Sequence, residues 1–152
     1  MKKKKIIITG GAGFIGSHIA ERYTQKNAEI IILDNLSTGR LDNIRKFKDK
    51  VTFIKCDLSK NGKWNQYFKE AHCVYHLASL ADIVPSIEKP IDYYSSNVTS
   101  TINVLEACRK YKSKKIIYAA SSSCYGIPEN YPTNERDKIS PMYPYALTKY
   151  LA

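Results

Sequence analysis

The sequence predicts an α/β fold in which a doubly wound parallel sheet is covered by helices on both faces. Two observations lead to this prediction. Short runs rich in β-branched residues recur along the chain and are almost continuously apolar, as in strands buried on both sides. Segments with a helical spacing of apolar residues lie between these runs, and strands that alternate with helices form right-handed βαβ units.

The individual elements follow from this alternation. Strands are expected at residues 4–9, 29–33, 51–55, 72–76 and 115–119. Helices are expected at residues 14–26, 41–48, 63–70 and about 90–112, and a final helix follows the proline-containing loop 127–144. In the helix at about 90–112, apolar positions spaced by three and four residues are expected to share one face: Val98, Thr101, Ile102, Leu105 and Cys108.

The composition is that of an ordinary soluble globular protein of one domain. Of 152 residues, 43% are hydrophobic and 25% are charged, and the apolar runs are too short for a membrane helix or a signal peptide. We therefore expect a cytoplasmic protein without a membrane partner. The net charge of +10 raises nucleic acid as a partner, but the basic residues form separate clusters beside apolar runs, so none is expected. The four cysteines lack the spacing of metal ligands, and no metal site is expected.

A glycine-rich turn directly follows the first strand. Gly11, Gly13 and Gly16 fit the pattern Gly-x-Gly-x-x-Gly, and Gly10 extends it to Gly-x-x-Gly-x-x-Gly. Glycine is required where the chain turns tightly, brings its amides to a pyrophosphate and packs a helix against a strand. The positive end of the helix that begins near Phe14 then faces the phosphates. This arrangement is typical of a Rossmann-like dinucleotide-binding site.

Acidic residues end the second strand and follow the third. Asp34 lies 18 residues beyond Gly16 and can accept hydrogen bonds from the adenosine ribose while repelling a 2′-phosphate. This favours NAD over NADP, although an Arg40 side chain folded over the ribose could accommodate NADP. Asp57 is expected either to contact the adenine or to cap the next helix.

A tyrosine and a lysine are paired on the final helix. Tyr145 and Lys149 are four residues apart and share one face, and Pro144 is suited to the first turn. A tyrosine with a pKa of ~10 is a poor base at neutral pH, but an ammonium group and an oxidised nicotinamide ring stabilise the phenolate and lower that pKa. With the serine cluster at residues 121–123, this pair predicts proton transfer beside a nicotinamide cofactor.

Taken together and in this order, these motifs resemble the extended short-chain dehydrogenase/reductase family, in particular its NAD-dependent nucleotide-sugar epimerases and dehydratases. The matching stretches are residues 9–17, 34–39, 56–58, 76–79, 97–98, 121–126 and 145–149. The resemblance implies cofactor contacts at Gly10, Gly13, Phe14, Ile15, Gly16, Asp34, Asn35, Ser37, Thr38, Gly39, Asp57, Leu58, Leu77, Ala78, Ser79, Asn97, Tyr145 and Lys149.

The same resemblance implies a reaction on a nucleotide sugar. Tyr145 is similar to the base that takes the proton of the sugar's 4-hydroxyl while the C4 hydride passes to NAD. Lys149 is similar to the partner of that base, and Ser121 is similar to the residue that binds the 4-hydroxyl. In a 4-epimerase the keto-sugar then turns over and receives the hydride on its other face.

The residues after Ser121 indicate the subfamily and the substrate. We expect Ser122 and Ser123 to contact the substrate. The 4,6-dehydratases of that family carry Asp-Glu at these two positions, and serine cannot replace a carboxyl group as general acid or base. A 4-epimerase of UDP-hexoses or UDP-N-acetylhexosamines is therefore expected. A keto-sugar reductase, a dehydratase and a non-catalytic dinucleotide-binding module are the alternatives.

The resemblance implies that members of that family continue into a substrate domain, and we expect residues 1–152 to lack it. Residues 1–152 are therefore expected to form one NAD-binding domain that stops just after the Tyr-x-x-x-Lys motif, with little or no turnover in isolation. The apolar edge beside the fifth strand is expected to favour self-association into a homo-oligomer.

Overall fold

The computed structural model describes residues 3–152 and contains one sheet of five parallel strands. The strands are β1 (Lys4–Thr9), β2 (Ala28–Asp34), β3 (Thr52–Lys55), β4 (Cys73–His76) and β5 (Ile116–Tyr118). Their order in the sheet is β3-β2-β1-β4-β5. The predicted α/β, Rossmann-like fold is confirmed. The strand order reverses between β1 and β4, where such sheets open a crevice for ligands at their carboxyl ends.

The sheet is buried on both faces because the side chains of each strand alternate between two cores. Ile7 pairs with Ile31 on one side and with Val74 on the other, and all three pack in one core with Phe68. The opposite face carries the intervening isoleucines and a second core: Ile6, Ile8, Ile30, Ile32, Ala20, Ile44 and Phe47. This alternation explains why the strands are nearly continuous apolar runs in the sequence.

Two of the predicted helices are present with a different geometry. Helix α1 (Phe14–Thr24) is α-helical as predicted and ends slightly earlier. The segments predicted at 41–48 and 63–70 are instead the 3₁₀ helices Leu41–Lys50 and Lys63–Phe68. In the first, the backbone leaves the helical region at Phe47, with φ −135°. Phe47 is buried, so its packing fixes a conformation that a regular α-helix does not allow.

The helix predicted at about 90–112 is composite. It consists of α3 (Pro90–Tyr93), a π-helical turn (Tyr94–Thr99) and α4 (Ser100–Lys110), and α2 (Ile83–Glu88), which was not predicted, precedes it. The predicted loop at 127–144 leads into α5 (Pro144–Leu151), as expected. Within residues 3–152, no helix is long and apolar enough to span a membrane.

The predicted apolar face of this composite helix is partly wrong. Val98 and Thr101 are buried, but Ile102 is 53% exposed and Leu105 is 44% exposed. The buried row of α4 runs through Val104 and Ala107 instead, and the predicted Cys108 packs against the same core. The physical reason is that the buried residues of α4, Ser100, Thr101, Val104 and Ala107, have the ordinary helical spacing of three and four and form a face beside the predicted one, whereas two of the predicted apolar side chains face solvent.

The position of the buried row can be tested by truncating one side chain on each row of α4. We expect Val104→Ala to lower the free energy of unfolding by about 2 kcal/mol, because it leaves a cavity in a core. Ile102→Ala removes a larger side chain but should cost less than about 1 kcal/mol, since that side chain is half exposed. Urea denaturation of both variants measures the difference, and a larger loss for Ile102→Ala would contradict the buried row described above.

Candidate cofactor and catalytic site

A cleft of about 260 Å³ lies at the carboxyl ends of the strands, where the strand order reverses. Its walls are the glycine turn, the segments that follow β2 and β3, and the loop that follows β4. Of the residues predicted to contact a cofactor, all line this cleft except Asn97, Tyr145 and Lys149. The structure therefore brings together residues from four separate stretches of the sequence.

The glycine turn leaves backbone in the place where side chains would otherwise stand. Gly10 has φ +66°, and a Cβ added to it would lie 2.8 Å from the Ala78 nitrogen, so only glycine permits this approach. In α1 the Ser17 amide donates to the Gly13 carbonyl at 3.0 Å. The amides of residues 14–16, which precede Ser17 in the helix, have no intrahelical acceptor and form a positive end directed at the cleft. A dinucleotide's pyrophosphate fits this cradle.

Asp34 is held at the end of β2 by two backbone amides. It is 7% exposed, and its carboxylate oxygens accept hydrogen bonds from the Ala12 amide at 2.9 Å and the Leu36 amide at 2.8 Å. A carboxylate has about four acceptor positions, so lone pairs remain for ribose hydroxyls. The Arg40 side chain is exposed and lies outside the cleft lining, which favours NAD over NADP.

Asp57 lies in the cleft and does not cap a helix. Its Oδ1 accepts hydrogen bonds from the Ser59 amide at 3.0 Å and the Ser59 hydroxyl at 2.7 Å. The following 3₁₀ helix begins only at Lys63, with Gly62 as its N-cap. The alternative that Asp57 is an N-cap is therefore wrong, because the intervening turn separates it from the helix. Its contact with the adenine stays a prediction.

A buried hydrogen-bond network fixes the loop that follows β4. Thr9 Oγ1 accepts from the amides of Leu77 at 3.1 Å and Ala78 at 3.2 Å, and it lies 2.7 Å from His76 Nδ1. Because Thr9 already accepts two hydrogen bonds, its own proton goes to Nδ1, and His76 Nε2 donates to Thr101 Oγ1 at 2.9 Å. The imidazole is thus neutral, and it joins β1, β4 and α4 beneath the cleft.

Asn97 occupies a different place from the other predicted cofactor residues. Its Oδ1 accepts from the Leu80 amide at 2.9 Å and the Ser79 hydroxyl at 3.0 Å. Its Nδ2 donates to the Leu80 carbonyl and to Thr148 Oγ1, both at 3.0 Å. Both side-chain protons are therefore used within the protein. Asn97 ties the loop after β4 to α5, and a cofactor contact by this residue stays a prediction.

The three predicted catalytic residues lie near the end of β5. The Tyr145 phenol donates a hydrogen bond to Ser121 Oγ at 3.4 Å. One turn later on α5, Lys149 Nζ donates to the Ala119 carbonyl at 2.7 Å and lies 4.3 Å from the centroid of the Tyr118 ring. Ala119 also lines the cleft, so this group borders the candidate cofactor site.

Lys149 is a buried cation. It is 6% exposed, and burial lowers its pKa to about 8, an effect that the Cys124 thiol partly opposes. A lysine with that pKa still carries its proton in most molecules at pH 7. Its positive charge lies in a medium of low dielectric constant, where it interacts with other charges more strongly than in water.

Ser122 and Ser123 form the start of a 3₁₀ helix (Ser122–Tyr125) that was not predicted. Ser121 is its N-cap, and its Oγ accepts from the Ser123 amide at 3.2 Å. Ser122 is exposed and Ser123 is half-buried. Their contact with a substrate remains a prediction.

The chain matches one protein family over almost its whole length. Residues 6–152 match the NAD dependent epimerase/dehydratase family. The chain belongs to this family, as the resemblance implied, and NAD is the cofactor that the family's description names.

Curated relatives and solved structures agree with this assignment. The chain is 41% identical over 148 residues to a putative UDP-glucose 4-epimerase of Methanocaldococcus jannaschii, with 96% of the chain and 48% of the relative covered. It is 35% identical to the UDP-glucose 4-epimerase of Bacillus subtilis, with 96% of the chain and 45% of that relative covered. The chain thus spans about half the length of the curated relatives it matches.

Two solved structures superpose closely. The UDP-N-acetylglucosamine 4-epimerase of Methanobrevibacter ruminantium M1, in complex with UDP-N-acetylmuramic acid, gives a TM-score of 0.91 at 35% identity, with 99% of this chain and 48% of that one covered. The UDP-glucose 4-epimerase of Brucella ovis, in complex with NAD, gives a TM-score of 0.88 at 31% identity, with 97% and 45% covered.

The neutral imidazole in the network beneath the cleft makes stability depend on pH. Burial, with a smaller effect from the Lys149 charge, lowers the pKa of His76 from 6.5 to about 4. The unfolded chain therefore binds this proton more readily, so the contribution of His76 is fully present above about pH 6.5 and is lost as the pH falls towards 4. We expect a loss of about 2 kcal/mol from this residue between pH 7 and pH 5.

Urea denaturation at both pH values measures this loss. His76→Gln should flatten the decrease by about that amount, while the exposed His18→Gln should keep the wild-type decrease. Equal pH dependence in the His76 variant and the wild type would contradict the neutral imidazole.

Proposed function

We propose that this chain forms the cofactor-binding and proton-transfer part of an NAD-dependent UDP-sugar 4-epimerase. The observation that carries the proposal is the contact of the Tyr145 phenol with Ser121, with the Lys149 ammonium bound to Ala119 at the border of the cleft formed by the glycine turn and Asp34. The curated relatives named as UDP-glucose 4-epimerases support it. Residues 1–152 would act as one domain.

The residues around the cleft would hold NAD along its length. The amino end of α1 would hold the pyrophosphate, Asp34 the adenosine ribose, and Asp57 with Leu58 the adenine side. The loop at residues 77–79 would contact the middle of the cofactor. When bound, NAD supplies a hydride acceptor at its nicotinamide.

The chain's own contribution is to hold and move a proton at the substrate hydroxyl. Tyr145 Oη and Ser121 Oγ are 3.4 Å apart, so one sugar hydroxyl placed beside them can contact both. Tyr145 would take the proton as its phenolate, and the buried ammonium of Lys149 would stabilise that negative charge. Ser121 would fix the hydroxyl by a hydrogen bond.

Epimerisation explains the residues near Ser121 better than dehydration. The 3₁₀ helix Ser122–Tyr125 contributes hydroxyl, thiol and phenol groups and no carboxylate, whereas elimination of water needs a general acid and a base. Ser122 and Ser123 would face the UDP-sugar.

From the composition we further propose a cytoplasmic location. From the half-buried edge strand β5 we propose self-association into a homo-oligomer.

Dinucleotide binding is the first test, because it requires only this chain. By isothermal titration calorimetry we expect NAD to bind at least about tenfold more tightly than NADP, since Asp34 repels a 2′-phosphate. Asp34→Asn should weaken NAD binding about tenfold, the loss for one hydrogen bond to a charged group, and should reduce the preference. Arg40→Ala should retain it. Equal affinity of the wild type for both dinucleotides would contradict the site described here.

Removal of the phenol hydroxyl tests the proposed base. Tyr145→Phe should lower the conversion of UDP-glucose to its 4-epimer by at least ~10²-fold, because a general base contributes that much. The exposed Tyr150→Phe on the same helix is the matched control and should keep the wild-type rate. The assay is run on this chain alone and fused to the second half of the Methanocaldococcus jannaschii relative.

The same assay separates the proposal from its alternative. NAD binding without turnover in both forms would favour a dinucleotide-binding module that does no chemistry. A near-wild-type rate for Tyr145→Phe would exclude this tyrosine as the base.

A further inference from the structure

A buried serine of α2 provides the hydrogen-bond acceptor for the first amide of α5. The helix begins at Pro144, which has no N–H group, and its N-cap is Tyr143, a residue type that does not cap helices through its side chain. The next amide, that of Tyr145, lies in the first turn and has no intrahelical acceptor. It donates instead to Ser86 Oγ at 3.1 Å, across to another helix.

The position of Ser86 is itself fixed. Its side chain is fully buried, and its hydroxyl donates to the Ile83 carbonyl within α2. Because the hydroxyl proton is used there, a lone pair of Oγ is left for the Tyr145 amide. The hydrogen bond within α2 thus orients the Ser86 Oγ acceptor independently of α5.

The ring of Tyr145 is held from two sides as well. The Tyr93 ring lies edge-on to it, with centroids 6.4 Å apart and planes at 80°. The Tyr143 ring lies parallel to it, also at 6.4 Å, with planes at 9°. Ser86 therefore holds the backbone of a residue whose ring is already confined by its neighbours.

We propose that Ser86 is a positioning residue that sets the place of the Tyr145 phenol. The phenol reaches Ser121 Oγ at 3.4 Å, near the upper limit for a hydrogen bond, so a small shift at the start of α5 would break this contact. Loss of such alignment lowers a reaction rate even when the reacting groups are all present. The consequence for turnover rests on the proposed function, but the hydrogen bond and the phenol position do not.

The unmodified chain gives the first test. Amide hydrogen exchange followed by NMR should show the Tyr145 amide protected, although amides in the first turn of a helix are ordinarily free to exchange. Exchange of this amide at the rate of exposed loop amides would overturn the proposal. This result decides the matter even if a variant fails to fold.

Variants of Ser86 separate positioning from general stability. In chain labelled with [¹³Cζ]tyrosine, Ser86→Ala should speed exchange of the Tyr145 amide about tenfold and move the Tyr145 Cζ resonance more than those of Tyr93 and Tyr118. Ser86→Thr keeps the hydroxyl and should restore both signals. The matched control is Ser113→Ala, which removes a hydroxyl hydrogen bond to the Phe68 carbonyl at the far end of β5 and should change neither. Equal shifts of all three tyrosine resonances in Ser86→Ala would show general loosening and overturn the proposal.

A kinetic measurement completes the test and keeps the two proposals apart. In the fused form used above, Ser86→Ala should lower kcat about tenfold and leave the affinity for NAD unchanged, with Ser86→Thr near the wild type. If the wild type shows no turnover, the proposed function fails, but the amide-exchange and ¹³C results still test the positioning role of Ser86. A wild-type kcat in a folded Ser86→Ala variant would overturn the positioning role.

Discussion

The close approach of the backbone at Gly10 to the loop after β4 is the constraint on which the site depends. A side chain at Gly10 would meet the Ala78 nitrogen, and the Thr9 hydroxyl beside it holds the amides of Leu77 and Ala78. These contacts keep the ends of β1 and β4 together at the point where the strand order reverses. The cleft exists because the two chain segments leave this point in different directions.

The proposed proton-transfer residues are connected to the cleft by polar contacts in the interior. Asn97 joins the loop after β4 to Thr148, whose hydroxyl donates to the Tyr145 carbonyl. Lys149 follows directly and is anchored at Ala119. The residues that line the candidate cofactor site and those proposed to transfer the proton are thus parts of one hydrogen-bond network, which suits a reaction that requires fixed distances.

The sequence was sufficient wherever a single local pattern decides the structure. The buried strands, the glycine turn and Asp34 belong to this group, because strand burial, φ above zero and the end of a strand each restrict the residue type. It was insufficient where tertiary contacts decide. Helix α2 is short and contains Pro85, so its apolar pattern is too brief to predict a helix. Its contribution comes from Ser86, which accepts a hydrogen bond from α5, a helix distant in the sequence. Asn97 likewise has its partners on distant segments.

The π turn at Tyr94–Thr99 holds more residues than an α turn of the same helix. Removal of one residue there can be absorbed when the turn rewinds to an α turn, so α4 keeps its orientation. Removal of one residue within α4 has no such compensation and would turn the residues on one side of it by about 100° relative to those on the other. A related chain can therefore lose one residue between α3 and α4 more easily than within α4.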